Sequence, residues 1–103
     1  MSEWPFQFEW DENKAAANAR KHGIAFELAA SVFRDPRLLT TPDLDHSETE
    51  QRWLSIGWAS DGKILSVVYL WSEPDPETTI IRLISARAAT QTKIRRYAIT
   101  EDV

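Results

Sequence analysis

The fold is decided largely by residues 8–23, FEWDENKAAANARKHG, which hold the end of a strand and a whole helix. Aromatic and polar residues alternate through FQFEW, residues 6–10, with the period of a half-buried strand. Asp11 then suits a helix N-cap, because its carboxylate can accept from free backbone N–H groups. The alanine-rich middle favours helix, and Gly23 suits the left-handed position after its last turn. We therefore predict a strand that leads directly into a helix between Asp11 and Gly23.

The polar residues of this helix form one stripe. Lys14, Asn18, Lys21 and His22 are spaced at i, i+4, i+7 and i+8, so they share a face. A stripe of this kind is most often a solvated helix face, and that is the favoured interpretation here. At its C-terminal end, Lys21 and His22 either complement the helix dipole or belong to a functional site.

The middle of the chain predicts a second helix followed by strands. Apolar residues recur at helical spacing from Ala25 to Phe33, and Asp35-Pro36 ends that helix. Leu38 to Thr41 predicts a short edge strand between two prolines. Residues 52–58 and 64–71 predict two strands joined by a tight hairpin at Asp61-Gly62.

The C-terminal third predicts one more strand and a helix. Residues 73–77 are acidic and proline-rich and predict a longer connection, after which Thr79 to Arg87 forms the next strand. Thr90 can cap a final helix. Its apolar residues Ile94, Tyr97 and Ala98 are expected to pack inward, with the cations Lys93, Arg95 and Arg96 largely outside.

These elements predict a single α+β domain over residues 1–103. We expect an antiparallel sheet of about four strands, with two N-terminal helices and one C-terminal helix. The chain is 43% hydrophobic and has five tryptophans, which suffices for a compact core.

Composition excludes several classes of site. The chain has no cysteine and two histidines, so we expect neither disulfides nor a metal site, and no cofactor motif occurs. The first residues do not resemble a signal peptide, and no apolar run approaches the length of a membrane span. The simplest expectation is a cytoplasmic protein that does not bind membranes.

Charge is unevenly distributed along the chain. The net charge is −4, but residues 82–100 carry five cations and no acidic residue, whereas residues 43–50 carry four acidic residues and no Lys or Arg. A local basic cluster determines contact with phosphate even where the whole chain is acidic. The basic C-terminal region is therefore the candidate for nucleic-acid contact.

These cations suit RNA cleavage by the RNA's own 2′-hydroxyl group. That reaction needs proton transfer and stabilisation of negative charge on phosphorus, which the guanidinium group provides well. Each arginine also has a structural explanation. Arg52 either holds the margin of the sheet or binds phosphate, Arg82 is either paired with a carboxylate or part of a site, and Arg87 ends its strand, where functional residues are common.

Three blocks of the chain resemble one known family. The opening of the BrnT family is similar to the run Phe8-x-Trp10-Asp11-x-x-Lys14-x-x-x-Asn18-x-x-Lys21-His22-Gly23-x-x-Phe26-Glu27. Its second block resembles Glu50-Gln51-Arg52 leading into Ile56-Gly57, and its third resembles residues 81–90 followed by Arg95-Arg96-Tyr97. The blocks occur in the family's order and cover nearly the whole chain.

This resemblance implies a RelE-like toxin fold and a ribonuclease of a type II toxin–antitoxin pair. It further implies a BrnA-like antitoxin with a ribbon-helix-helix domain, through which the pair would bind operator DNA and repress its own promoter. By position in the matched blocks, the expected catalytic residues are Lys21, Arg52, Arg82 and Arg87. The expected RNA-binding residues are His22, Lys93, Arg95 and Arg96.

A rival hypothesis is a non-catalytic, toxin-like module that acts only in a protein complex or as a co-repressor. The two hypotheses differ in what they require of the arginines. Catalysis needs them to converge on one concave surface, so an arrangement with Arg52 and Arg87 on opposite faces would count against an enzyme.

Overall fold

A five-stranded mixed sheet dominates the computed structural model, which describes residues 6–43 and 52–101. The strands are β1 (Phe6–Glu9), β2 (Leu39–Pro42), β3 (Trp53–Trp58), β4 (Ile64–Asp75) and β5 (Thr78–Ala88). The helices are α1 (Glu12–His22), α2 (Phe26–Ala30) and α3 (Gln91–Glu101), and a 3₁₀ turn, Ser31–Arg34, follows α2. Within the described residues, no helix is long and apolar enough to cross a membrane.

The strand order is β1-β5-β4-β3-β2, with antiparallel neighbours except for β1, which runs parallel to β5. The predicted α+β class is confirmed, with helices on the N-terminal side of the meander and at the C-terminus. The sheet has five strands rather than about four, because both short flanking segments, β1 and β2, join its edges.

Two predicted elements have different limits in the structure. The second helix gives way to a 3₁₀ turn because the Ser31 hydroxyl donates to the Leu28 carbonyl and accepts from the Ser60 N–H, at 2.5 and 2.9 Å. The predicted long connection at 73–77 is wrong, because β4 continues to Asp75 and pairs it with Thr78 across a tight turn. A register shift after Ser72 accommodates the prolines in this two-stranded ribbon.

Helix α1 has the predicted caps. The Asp11 carboxylate accepts from the Asn13 and Lys14 backbone N–H groups, and Gly23 adopts φ 72° while its N–H donates to Ala19. The buried face, however, includes part of the polar stripe: Lys14 and Lys21 are exposed as expected, but Asn18 is buried and Ala15 packs against the core beside it. Asn18 is 6% exposed, while Ala16, Ala17 and Ala19 are exposed to solvent. The solvated-stripe interpretation is therefore wrong for Asn18.

Asn18 is buried because its amide completes the edge of the sheet. Strand β1 pairs with β5 only as far as Arg82, which leaves the backbone of Ala86 unpaired on that side. Asn18 donates to the Ala86 carbonyl at 2.9 Å and accepts from the Ala86 N–H at 3.0 Å. It also donates to the Ile24 carbonyl at 2.9 Å, so one side chain ties α1 and the following loop to β5.

The main core lies on one face of the sheet. The buried residues of α2 and the 3₁₀ turn, Phe26, Ala29 and Val32, pack with inward residues of β4 and β5, namely Leu65, Val67, Tyr69, Ile81 and Leu83. Aromatic rings extend this layer, with Phe33 perpendicular to Tyr69 at a centroid distance of 4.9 Å. The opposite face carries α3 alone among the described helices, in contact with β3 over the buried Ile56.

A bulge in β5 changes which residues reach each face. Val68 of β4 lies opposite Ser85, but Tyr69 lies opposite Leu83, so Ile84 is an extra residue without a cross-strand partner. At this bulge, the alternation of β5 side chains between the two faces of the sheet shifts by one residue. Leu83 and Ala86 consequently share the core face, and Ser85 and Arg87 share the other face.

The Asp35 carboxylate joins three parts of the fold at one end of the sheet. It accepts from the Trp58 N–H at 2.9 Å, from the Arg37 N–H at 2.9 Å and from the Tyr97 hydroxyl of α3 at 2.5 Å. Burial alone would raise the pKa of Asp35. These hydrogen bonds and the charge of Arg37 outweigh burial, so the pKa lies below its usual value of 3.8.

Removal of the Asn18 amide is expected to destabilise the fold. Asn18→Leu should lower the free energy of unfolding by roughly 2–5 kcal/mol, because backbone groups of Ala86 and Ile24 lose buried partners. Asn13→Leu, on the exposed side of the same helix, should change it by less than about 0.5 kcal/mol. Urea unfolding followed by tryptophan fluorescence measures both, and equal effects would contradict the account.

The lowered pKa of Asp35 predicts a specific acid sensitivity. The unfolded chain binds this proton more readily, so the stabilisation is present above the unfolded pKa, about 3.8, and is lost as pH falls through the folded pKa. Asp35→Asn should be less stable at neutral pH and should lose less further stability between about pH 5 and pH 3. Parallel curves of unfolding free energy against pH for the two proteins would show that Asp35 makes no such contribution.

Candidate functional site

A basic cavity of about 560 Å³ lies on the α3 side of the sheet. Its floor is formed by β3, β4 and β5, and its walls by the C-terminal end of α1, the first turns of α3 and the end of β2. The residues that line it are Lys21, His22, Asp43, Leu54, Ser66, Val68, Ser85, Arg87 and Lys93.

Strand register sets the geometry of the floor. Leu54, Val68 and Ser85 lie side by side in one row across three strands. In the next row, Ser66 lies between Ile56 and Arg87. Neighbouring strands are about 4.8 Å apart, so Arg87 projects from the strand directly beside Ser66.

Three structural elements bring the cations together. The Asn18 anchor brings the end of α1 to β5, which places Lys21 and the half-buried His22 at the cavity wall. The bulge at Ile84 turns Arg87 toward the same side. Lys93 reaches in from α3, and its ammonium group donates to the Ser66 hydroxyl at 3.4 Å. The expectation that Lys93 lies largely outside is wrong, because the side chain is half-buried against the sheet.

The other predicted arginines lie outside the lining. Arg82 is on the same face as Arg87 but five residues, roughly 16 Å, along the strand. Its guanidinium group pairs with the Glu9 carboxylate at 3.2 Å, so the prediction that Arg82 is paired with a carboxylate is confirmed. Arg52 precedes β3 on the side of Leu54, so Arg52 and Arg87 belong to one face of the sheet. Arg95 and Arg96 are exposed on α3.

The lining favours an anionic ligand. Among the lining residues that the structure describes, Lys21, Arg87 and Lys93, with His22 beside them, face one carboxylate, that of Asp43. Within 6–43 and 52–101, no group of three or more His, Cys, Asp or Glu side chains is arranged to hold a metal ion. The serine hydroxyls and the apolar floor can contact a sugar or base while the cations bind a phosphate.

A second cavity, of about 400 Å³, lies on the core face and differs in chemistry. It is lined mainly by aromatic and aliphatic side chains, including Phe33, Trp53 and Trp71. Its tyrosine hydroxyl, on Tyr69, already bonds to Ser55 at 2.7 Å. Its described lining residues include no Lys or Arg, so the basic cavity is the better candidate for a phosphate site.

Sequence reasoning did not identify Asn18, Asp43, Ser66 or Ser85 as parts of this region. Serines on strands carry no signal of their own, and their contribution depends on cross-strand register. Asn18 did have a detectable signal. It is a polar residue among alanines on a helix that must pack one face against the sheet, which is compatible with a buried amide.

The chain matches the family model described as "Ribonuclease toxin, BrnT, of type II toxin-antitoxin system" over residues 10–93. The chain belongs to the BrnT family. The match runs from the residue after β1 to the first turn of α3 and includes Lys21, His22, Arg87 and Lys93 of the cavity lining. No curated protein matches the chain.

A solved BrnT structure has the same fold. The crystal structure of the Brucella abortus ribonuclease toxin, BrnT, superposes with a TM-score of 0.54 at 25% sequence identity. The alignment covers 84% of this chain and 99% of that one. A BrnT family member of a type II system implies an antitoxin partner, and at the family level the activity is that of a ribonuclease.

Proposed function

We propose that this BrnT family member is an endoribonuclease that cleaves RNA in the basic cavity without a metal ion. The observation that carries the proposal is the convergence of Lys21, His22, Arg87 and Lys93 on one concave surface. Lys21, Arg87 and Lys93 together offer the positive charge that a phosphate needs as it gains negative charge.

In the proposed reaction, the 2′-hydroxyl of the RNA attacks the adjacent phosphorus. A new 2′ O–P bond forms, and the bond from phosphorus to the 5′ oxygen of the next nucleotide breaks. The products carry a 2′,3′-cyclic phosphate and a 5′-hydroxyl group. One proton leaves the attacking hydroxyl, and one is delivered to the departing oxygen.

Arg87 is proposed to stabilise the charge on the phosphate. It projects from the floor beside Ser66, and its planar group can contact two phosphate oxygens at once. Lys21 and Lys93 add charge from the two walls. His22 is proposed to transfer a proton, because imidazole both accepts and donates protons near neutral pH.

Arg52 and Arg82 have lesser roles in this proposal. Arg52 lies on the same face of the sheet as Arg87 but outside the cavity lining, and it is expected to guide the RNA backbone. Arg82 is held by Glu9 outside the lining, so a catalytic role for it stays a prediction with less support than that of Arg87. The exposed Arg95 and Arg96 are expected to contact flanking phosphates.

The antitoxin is proposed to be a BrnA-like protein that covers this basic surface with an acidic segment and carries the pair to operator DNA. Opposite charges across an interface favour association and orient the partner. Modification of Arg87 by phenylglyoxal should therefore be slower in the complex than in free toxin. Equal rates would contradict coverage of the cavity.

RNA cleavage in EDTA tests the catalytic proposal. The purified protein should convert a defined RNA to fragments with 2′,3′-cyclic phosphate and 5′-hydroxyl ends. Arg87→Ala should slow cleavage by roughly 100–1000-fold, the usual effect of removing a group that stabilises charge in the transition state. Arg82→Ala is the matched control, on the same strand and face, and should change the rate by less than about tenfold.

Circular dichroism would verify that both variants are folded. Equal losses in the two variants would contradict a site centred on the cavity. Intact RNA from folded wild-type protein, also in the presence of translating ribosomes, would favour the non-catalytic module instead.

A further inference from the structure

The position of Lys93 depends on how α3 is held. Lys93 donates to Ser66 at 3.4 Å, and Ser66 is the cross-strand neighbour of Arg87. The ammonium group therefore lies above the strand next to the proposed phosphate site. A helix that pivoted on its first residues would move Lys93 away from Ser66.

The start of α3 is fixed to the sheet. The Ala89 N–H donates to the Ile64 carbonyl at 3.0 Å, which continues the β4–β5 pairing up to the helix. The Thr90 hydroxyl then accepts from the Lys93 N–H at 3.3 Å and caps the first turn. These bonds fix where the helix begins. They do not fix the direction of the helix axis over the sheet, which depends on contacts made by later residues of α3.

Tyr97 supplies that second point of attachment. It follows Lys93 by four residues, so the two side chains leave the helix on the same face, one turn apart. Tyr97 is 3% exposed, and its hydroxyl donates to the Asp35 carboxylate at 2.5 Å. The same carboxylate oxygen accepts from the Trp58 N–H of β3, so the bond connects α3 to the sheet itself.

Gly57 allows the turn that carries Asp35 to approach β3 closely. A Cβ atom at Gly57 would lie 2.7 Å from the Leu38 Cδ1 and 3.3 Å from the Asp35 Oδ2. The turn that carries Asp35 can thus lie directly against β3, within reach of both Trp58 and Tyr97.

We propose that Asp35 and Tyr97 are a positioning pair that fixes the direction of α3, so that Lys93 contacts the phosphate bound beside Arg87. Neither residue lines the cavity, and both act through Lys93. This inference rests on the proposed function and adds to it a structural requirement distant from the reacting atoms.

A double-mutant cycle tests the pair. Tyr97→Phe removes the hydroxyl and keeps the ring, and should lower kcat/KM for RNA cleavage about tenfold. Lys93→Ala should lower it by at least as much. In the Lys93→Ala background, Tyr97→Phe should have less than about a twofold further effect, because the residue it positions is gone.

Tyr69→Phe is the matched control. It also removes the hydroxyl of a buried tyrosine, but that hydroxyl bonds to Ser55 on the core face, remote from α3. Its kcat/KM should stay within about twofold of wild type even if it unfolds at lower urea concentration. A general loss of stability would slow both tyrosine variants, whereas the proposed positioning affects Tyr97→Phe alone.

Each outcome separates this inference from the proposed function. Suppose that the wild-type protein is active. Additive effects of Tyr97→Phe and Lys93→Ala would then overturn the positioning pair, and so would an unaffected Tyr97→Phe variant. Either result would leave the proposed ribonuclease activity intact. If the wild type binds RNA without cleaving it, the same cycle is measured on Kd, where non-additivity supports the pair and additivity overturns it. Wild-type protein that neither binds nor cleaves RNA would overturn both proposals.

Discussion

The hydrogen bonds between Asn18 and Ala86 are the constraint on which the site depends. Strand β1 is too short to pair with the whole of β5, and the amide of Asn18 satisfies the backbone beyond it. This contact also fixes the end of α1 next to the C-terminal end of β5. The same bonds that complete the sheet therefore bring Lys21 and His22 to the strand that carries Arg87.

The extra residue in β5 likewise determines on which face of the sheet the arginines of this strand lie. In a strand without a bulge, side chains alternate between the two faces of the sheet, so Arg82 and Arg87, five residues apart, would point to opposite faces. The bulge at Ile84 puts both on the α3 side while Leu83 and Ala86 remain in the core. One face of the sheet can thus hold an apolar core while the other gathers cations, which explains how a chain with net charge −4 forms a basic cavity.

Much of the fold follows from local chemistry that the sequence displays. Asp11 and Gly23 bound α1 as their capping preferences predict, and the Asp61-Gly62 turn joins β3 to β4. The α+β class follows from these elements, and the similarity to BrnT proteins identified the family. Lys21 and Arg87, which the family resemblance assigned to one site, line the same cavity, and their catalytic role stays a prediction.

The remaining features depend on contacts between distant segments. The bulge at Ile84 is visible only in the pairing of β5 with β4, and the inward turn of Asn18 requires the unpaired edge near Ala86. Helical periodicity predicted Lys93 as solvent-facing, since periodicity cannot detect a serine on a facing strand that accepts its hydrogen bond. The carboxylate partner of Arg82, Glu9, lies across the parallel pairing of β1 with β5, which local patterns cannot reveal.

Binding of an uncleavable RNA is the most direct test that the basic cavity is the functional surface. A short 2′-O-methyl oligonucleotide lacks the attacking hydroxyl, and titration into isotope-labelled protein can be followed by amide chemical shifts. The account predicts shifts concentrated at His22, Ser66, Ser85 and Arg87, weakened by added salt. Shifts concentrated instead around Trp71 on the core face, or no shifts at all, would contradict it.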